Sequence, residues 1–91
     1  MLYRIYTENK NREQVEAIVA RRFSGFTISA ATGYWQGQRE DSLVIEVIPP
    51  ESLRYPELAG NNIQGIAEDI QALNQQESVL IQQVECESWL V

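Results

Sequence analysis

A chain of 91 residues has room for one hydrophobic core and not for two, so a single domain over residues 1 to 91 is expected. Its 44% hydrophobic and 22% charged residues exclude a disordered chain, and no apolar run is long enough to span a bilayer. The formal net charge of −6 repels a phosphate backbone, and no cluster of Lys or Arg offsets it locally, which argues against a nucleic-acid polymer as partner.

The opening residues Met1 to Tyr6 lack a basic stretch followed by a longer apolar one, so no signal peptide is expected and the cytoplasm is the default location. Leu2 to Thr7 alternates, with Tyr3 and Ile5 on one face and Arg4 and Tyr6 on the other, as in a strand. Glu8 to Asn11 is a polar connection in which Asn11 has the character of an N-cap and Gln14 that of its capping-box partner. The helical stretch from Asn11 to Phe23 places Val15, Ile18, Val19 and Phe23 on one face. Glu13 and Glu16 near its start and Arg21 and Arg22 near its end complement the macrodipole. Ser24-Gly25 then ends the helix, with the glycine suited to a left-handed terminus.

Phe26 to Ala30 alternates large apolar with small residues and reads as a second strand. Between Ala31 and Asp41 two glycines bracket the pair Tyr34-Trp35, which predicts a protruding hairpin. Ser42 to Ile48 is apolar at nearly every position apart from Glu46, as in a central strand covered on both sides, and Pro49-Pro50 stops it. A loop is expected from Glu51 to Gly60. A second helix from Asn62 to Leu73 follows, capped by Asn61 or Asn62, striped by Ile63, Ile66, Ala67, Ile70 and Leu73, and closed by Asn74. Val79-Leu80-Ile81 begins a last strand that runs, through a bulge near Gln82-Gln83, toward Trp89-Leu90-Val91.

The order strand, helix, strand, strand, helix, strand with two amphipathic helices predicts an α+β domain. Its arrangement is ferredoxin-like: βαββαβ, a four-stranded antiparallel sheet with two helices on one face, joined by right-handed crossovers. The other face is then open. Burying apolar area stabilises by roughly 25 cal/mol per Å², and copies of the same chain are the simplest cover, so a homo-oligomer is expected. Arg4, Tyr6, Glu46 and Trp89 are the interface candidates, with Arg4 and Glu46 read as a structural ion pair across strands and not as an acid-base couple.

The run Tyr34-Trp35-x-Gly37-x-x-Glu40-Asp41-Ser42, continuing into Leu43-Val44-Ile45, resembles the corresponding hairpin of CutA proteins, trimeric ferredoxin-like relatives of the PII signalling proteins. Tyr55-Pro56-Glu57-Leu58 is similar to that family's aromatic-proline-acid segment, although here it precedes the second helix, and Pro49-Pro50 stands where the family has a Lys-Thr pair. The resemblance implies a trimer whose clefts between subunits, bordered by these hairpins, take a small ligand.

Tyr34, Trp35, Arg39 and Glu40 are the ligand-binding candidates: aromatic rings stack a planar group, and an arginine neutralises an anionic one. Packing of Trp35 into a neighbouring subunit is the alternative, since interfaces are enriched in the same side chains. Six of the seven basic residues are arginines, suited to carboxylates or small anions, and pairing with nearby Glu and Asp is the favoured account of them. The chain has no His and one Cys, Cys86, expected to be buried and inert. No carboxylate-rich loop, catalytic triad, P-loop or dinucleotide glycine pattern is present, so no metal, cofactor or catalytic residue is assigned. The expected function is an oligomeric small-ligand binder or sensor for a nucleotide-like or other anionic metabolite. Its rivals are a protein-interaction or sequestering accessory factor and a cofactor-free enzyme of the dimeric α+β barrel type.

Overall fold

The computed structural model describes residues 1–50 and 56–91. Six elements follow one another: β1 (Leu2–Glu8), α1 (Arg12–Ala20), β2 (Thr27–Trp35), β3 (Gln38–Val47), α2 (Pro56–Asn74) and β4 (Leu80–Val84). The strands lie in the order β2-β3-β1-β4 with every neighbouring pair antiparallel, which is the ferredoxin-like arrangement. Tyr3 and Ile5 of β1 and Leu43, Ile45 and Val47 of β3 face Val15, Ile18 and Val19 of α1 and Ile63, Ile66 and Ile70 of α2. The period-two strands and the 3.6-period helices thus meet in one core. Val44 and Glu46, on the other face of β3, are half-buried, so this strand is fully covered on its helix side alone.

The hairpin is built by regular pairing. The ladder runs from Thr27↔Glu46 to Trp35↔Gln38, so β2 and β3 extend well past the expected strand ends. Gln36 and Gly37 form a two-residue turn with φ of 51° and 76°, the pair of positive values that matches the twist of the flanking strands. Because β1 stops at Glu8, opposite Ser42, with one further bond from Asn9 N to Asp41 O at 2.9 Å, the stretch Gln38 to Glu40 pairs with β2 alone among the described residues and juts out as a two-stranded arm. No helix of the described residues is long and apolar enough to cross a membrane.

Several boundaries differ from the sequence expectation, each for a local reason. Asn11 is left-handed, with φ 53°, and makes no capping bond; its side chain donates instead to Asn74 Oδ1 at 3.0 Å. The first helix ends at Ala20 and not at Phe23, after which Arg22 N closes a tighter bond to Val19 O at 3.0 Å. Gly25 is not left-handed; among described glycines a positive φ occurs at Gly37. Arg21 Nε reaches the Ala17 carbonyl at 3.4 Å, whereas Arg22 crosses to α2.

The second helix begins at Pro56, whose missing N–H suits a first helical position, so Asn61 and Asn62 lie inside it and cap nothing. The remainder of the expected loop, 51–55, and with it Tyr55 of the CutA-like segment, lies outside the described residues. Asn74 does close the helix. Gln75 takes the left-handed conformation with φ 54°, and Gln76 N bonds back to Gln71 O at 3.1 Å, the pattern of a Schellman motif.

The last strand is shorter than expected and does not reach Trp89. It pairs only with β1, whose first residue Leu2 lies opposite Val84, so beyond Val84 no ladder remains to join. A single further tie, from the Met1 amino group to Cys86 O at 2.9 Å, precedes an irregular tail on which Cys86 is exposed and not buried.

Candidate functional site

In this topology β1 ends, the β2–β3 arm turns, and α2 hands over to β4 all at the same end of the sheet. A cleft of about 650 Å³ opens there, within the range of small-molecule sites. Its floor is the end of β1, Tyr6 to Glu8. The arm supplies one wall through Gly33, Tyr34, Trp35, Glu40 and Ser42, and the α2–β4 connection, residues 75–80, supplies the other. Gly33 keeps the arm narrow: a Cβ at this position would lie 3.1 Å from Ser42 Oγ, tighter than the cross-strand packing allows without a shift.

The lining is aromatic and acidic. Tyr6 and Trp35 share the open face of the sheet with Glu8 and Glu40, whereas Tyr34, as the next residue of the strand, projects to the other face of the arm. Glu77 adds a third acidic residue, and no Lys or Arg stands among the described lining residues. Tyr34 and Trp35 are 74% and 65% exposed, so their rings are free to stack. Lys10 Nζ approaches Glu8 Oε2 to 2.8 Å as an ion pair, but without the alignment of a hydrogen bond, and that buried oxygen has no other partner. A carboxylate so placed at the edge of an apolar cleft suits a hydroxyl, amino or cationic group.

The sequence candidates divide. Tyr34, Trp35 and Glu40 line the cleft, whereas Arg39, opposite Tyr34 in the ladder, does not. Tyr6, read as an interface residue, lies on the cleft floor. Arg4 and Glu46 are directly opposite in register and form an ion pair with Nε to Oε2 at 3.0 Å, on the open face of the sheet. Trp89 stands on the tail and is 76% exposed. Glu8, Ser42 and the 75–80 connection were not singled out from sequence. The available signal was topological, because the element order alone brings the hairpin and the α2–β4 connection to one end. Among the described residues no group of three or more Cys, Asp or Glu gathers to hold a metal ion.

No family model matches the chain, and no curated protein sequence matches it significantly. Solved structures do. A phage SAM lyase in its apo state superposes with a TM-score of 0.72 at 22% identity, over 88% of this chain and 75% of that one. A phage SAM lyase in complex with S-methyl-5'-thioadenosine gives 0.62 at 19% identity, over 88% and 76%. CPII, a nitrogen regulatory PII-like protein from Thiomonas intermedia K12 bound to ADP, AMP and bicarbonate, gives 0.59 at 19% identity, over 98% and 93%. At these identities the likeness establishes a shared fold.

Proposed function

We propose that the chain is a small-ligand-binding protein whose cleft takes an adenosine-type molecule. The observation that carries this reading is the lining itself: Tyr6 and Trp35 on one face of the sheet and three acidic residues, Glu8, Glu40 and Glu77, around about 650 Å³, with no cation among the described lining residues. Ring faces stack a purine, and carboxylates accept hydrogen bonds from ribose hydroxyls or an exocyclic amine. The two ligand-bound neighbours support the same chemistry, since S-methyl-5'-thioadenosine, ADP and AMP are all adenosine derivatives. The acidic lining favours a neutral or cationic derivative over a polyphosphate, because like charges at these distances repel. An anionic metabolite would call on Arg39 from outside the cleft.

The chain works as a homo-oligomer in this reading, with a trimer in keeping with the CutA and PII resemblance. Val44 and the Arg4–Glu46 pair on the open face would then be covered by another copy, with Tyr6 and Leu80 at the border between that contact and the cleft. Titration calorimetry of the purified protein against S-methyl-5'-thioadenosine, adenosine, AMP and ADP is the test. The thioether nucleoside is expected to bind at least tenfold more tightly than ADP, and Trp35→Ala to weaken it while leaving the protein folded. Absence of binding by every one of these compounds sinks the reading.

A second reading, that the cleft turns over a sulfonium nucleoside, is favoured by the acidic residues Glu8 and Glu40 that line the cleft together with Trp35 and by the fold shared with a phage SAM lyase. Incubation with S-adenosylmethionine, followed by chromatography for released S-methyl-5'-thioadenosine, separates a binder from an enzyme.

A further inference from the structure

We propose that Gln76 is a positioning residue of the cleft. Its side-chain amide would fix the α2–β4 wall in the shape that receives a ligand, an inference that rests on the ligand-binding reading above.

This wall is irregular, yet side chains reaching in from neighbouring elements tie it down. Beyond the Schellman bond that ends α2, its carbonyls are held by amides: Gln71 Nε2 donates to Glu77 O at 2.8 Å, and Gln76 Nε2 donates to Ser78 O at 3.2 Å. The oxygen of the Gln76 amide accepts from the Thr7 hydroxyl of β1 and from Asn74 Nδ2 of α2, the latter at 3.0 Å. Asn74 Oδ1 in turn accepts from Asn11 Nδ2 at 3.0 Å. One amide therefore joins the end of β1, the start of α1 and the end of α2 to the wall of the cleft. The orientation of that amide follows from its partners, two donors on the oxygen and one carbonyl on the nitrogen.

Two features separate this network from ordinary surface bonding. Thr7 and Asn74 are 4% and 5% exposed, and they are the buried polar residues of a core that is otherwise apolar. Their bonds are partly shielded from water, since Gln76 is half-buried. Asn11, meanwhile, gives up the capping bond its position offers and adopts a left-handed backbone in order to reach Asn74. A residue that breaks its local rule to serve a distant contact marks a place where the fold serves something beyond stability. The segment so fixed, Glu77 to Val79, separates the cleft from a smaller hollow of about 230 Å³ between α2 and β4; Val79 packs half-buried against the core, while Glu77 and Ser78 are exposed. For those two residues the side-chain bonds to their carbonyls are the ties to the rest of the fold.

The test uses Thr7→Val, which keeps the shape of Thr7 and removes its donor, with Thr7→Ser as the conservative rescue and Gln76→Met as a second variant. Hydrogen exchange of the Gln76 amide, which donates to Gln71 O at 3.1 Å, is read in the unliganded protein, and affinity for S-methyl-5'-thioadenosine by calorimetry. Thr7→Val and Gln76→Met are expected to speed that exchange and to weaken binding, each about tenfold, the equivalent of one buried hydrogen bond. Thr7→Ser should restore both. Unchanged exchange, or faster exchange with affinity intact, overturns the positioning role. If the wild-type protein binds no adenosine derivative, the ligand reading falls and exchange alone decides: unchanged rates in both variants refute the tether, and faster rates support it.

Discussion

The two walls of the cleft are made in opposite ways. The arm is held by an uninterrupted backbone ladder out to Trp35↔Gln38, and its side chains, Tyr34 and Trp35 above all, stay exposed and make no bonds of their own. The α2–β4 wall has little regular backbone pairing and owes its shape to Gln71, Asn74, Gln76 and Thr7. A ladder fixes where a side chain starts but not where it ends, whereas an amide network fixes the wall atom by atom. The pairing of an adaptable aromatic wall with a fixed polar one is what a site needs in order to close on a planar ligand and still discriminate its edge.

Both walls depend on the same core, so the strongest perturbation should abolish the contrast. Ile45 is fully buried in β3 beneath the arm and against the helices. Ile45→Ala is expected to cost about 2 to 5 kcal/mol in urea unfolding, with exchange accelerated at both walls together. Acceleration of one wall alone would mean that the two are not parts of one cooperative unit.

Removing the network without touching the ladder should split them. Asn74→Ala deletes the buried partner of both Asn11 and Gln76. A loss of about 1 to 3 kcal/mol is expected, with faster exchange at residues 75–79 and unchanged exchange along β2. The converse is a turn variant. Gly37 has φ 76°, a conformation that costs an L-residue roughly 1 to 2 kcal/mol, so Gly37→Ala should destabilise by about 1 kcal/mol and loosen only the amides near the arm's tip.

The contrast between walls also explains what the sequence disclosed. Alternation at Tyr3, Ile5, Leu43 and Ile45 and the stripe Ile63, Ile66, Ile70 are local signals with a fixed period, and they led to the sheet, the helices and their order. The arm's aromatics were visible because glycines bracket them. The amide network was not, because Thr7, Asn11, Asn74 and Gln76 are far apart in sequence and each has a local reading as strand, cap or turn. Asn11 was misread for that reason: the propensity was right and a tertiary bond to Asn74 outweighed it. The last strand was overextended because nothing in Glu85 to Val91 says that its partner β1 has already run out at Leu2. Helix α2 was started late because Pro56 and Gly60 read as loop residues, although Ala59, four residues before Ile63, continues the buried stripe.

The smallest effect is expected away from both walls, where α1 and α2 touch. Arg22 lies across Gly65, so close that a Cβ there would meet the guanidinium atoms at 2.6 Å. The obstacle is the far end of a flexible side chain, and what holds it is slight: a 3.4 Å bond to Asn62 Oδ1 and an ion pair with Asp69 at 3.9 Å, both on the surface. Displacing them costs a few tenths of a kcal/mol, since exposed pairs contribute about 0 to 1 kcal/mol. Alanine, against that, is better than glycine in a helix interior by about 1 kcal/mol. Gly65→Ala is therefore expected to raise the melting temperature by a few degrees and to leave exchange at 33–42 and 75–79 unchanged beyond that global gain. A fall in stability would show that the Arg22 contact is a structural tie between the helices. Loosening of either wall would show that the helix packing, and not only the ladder and the amides, governs the cleft.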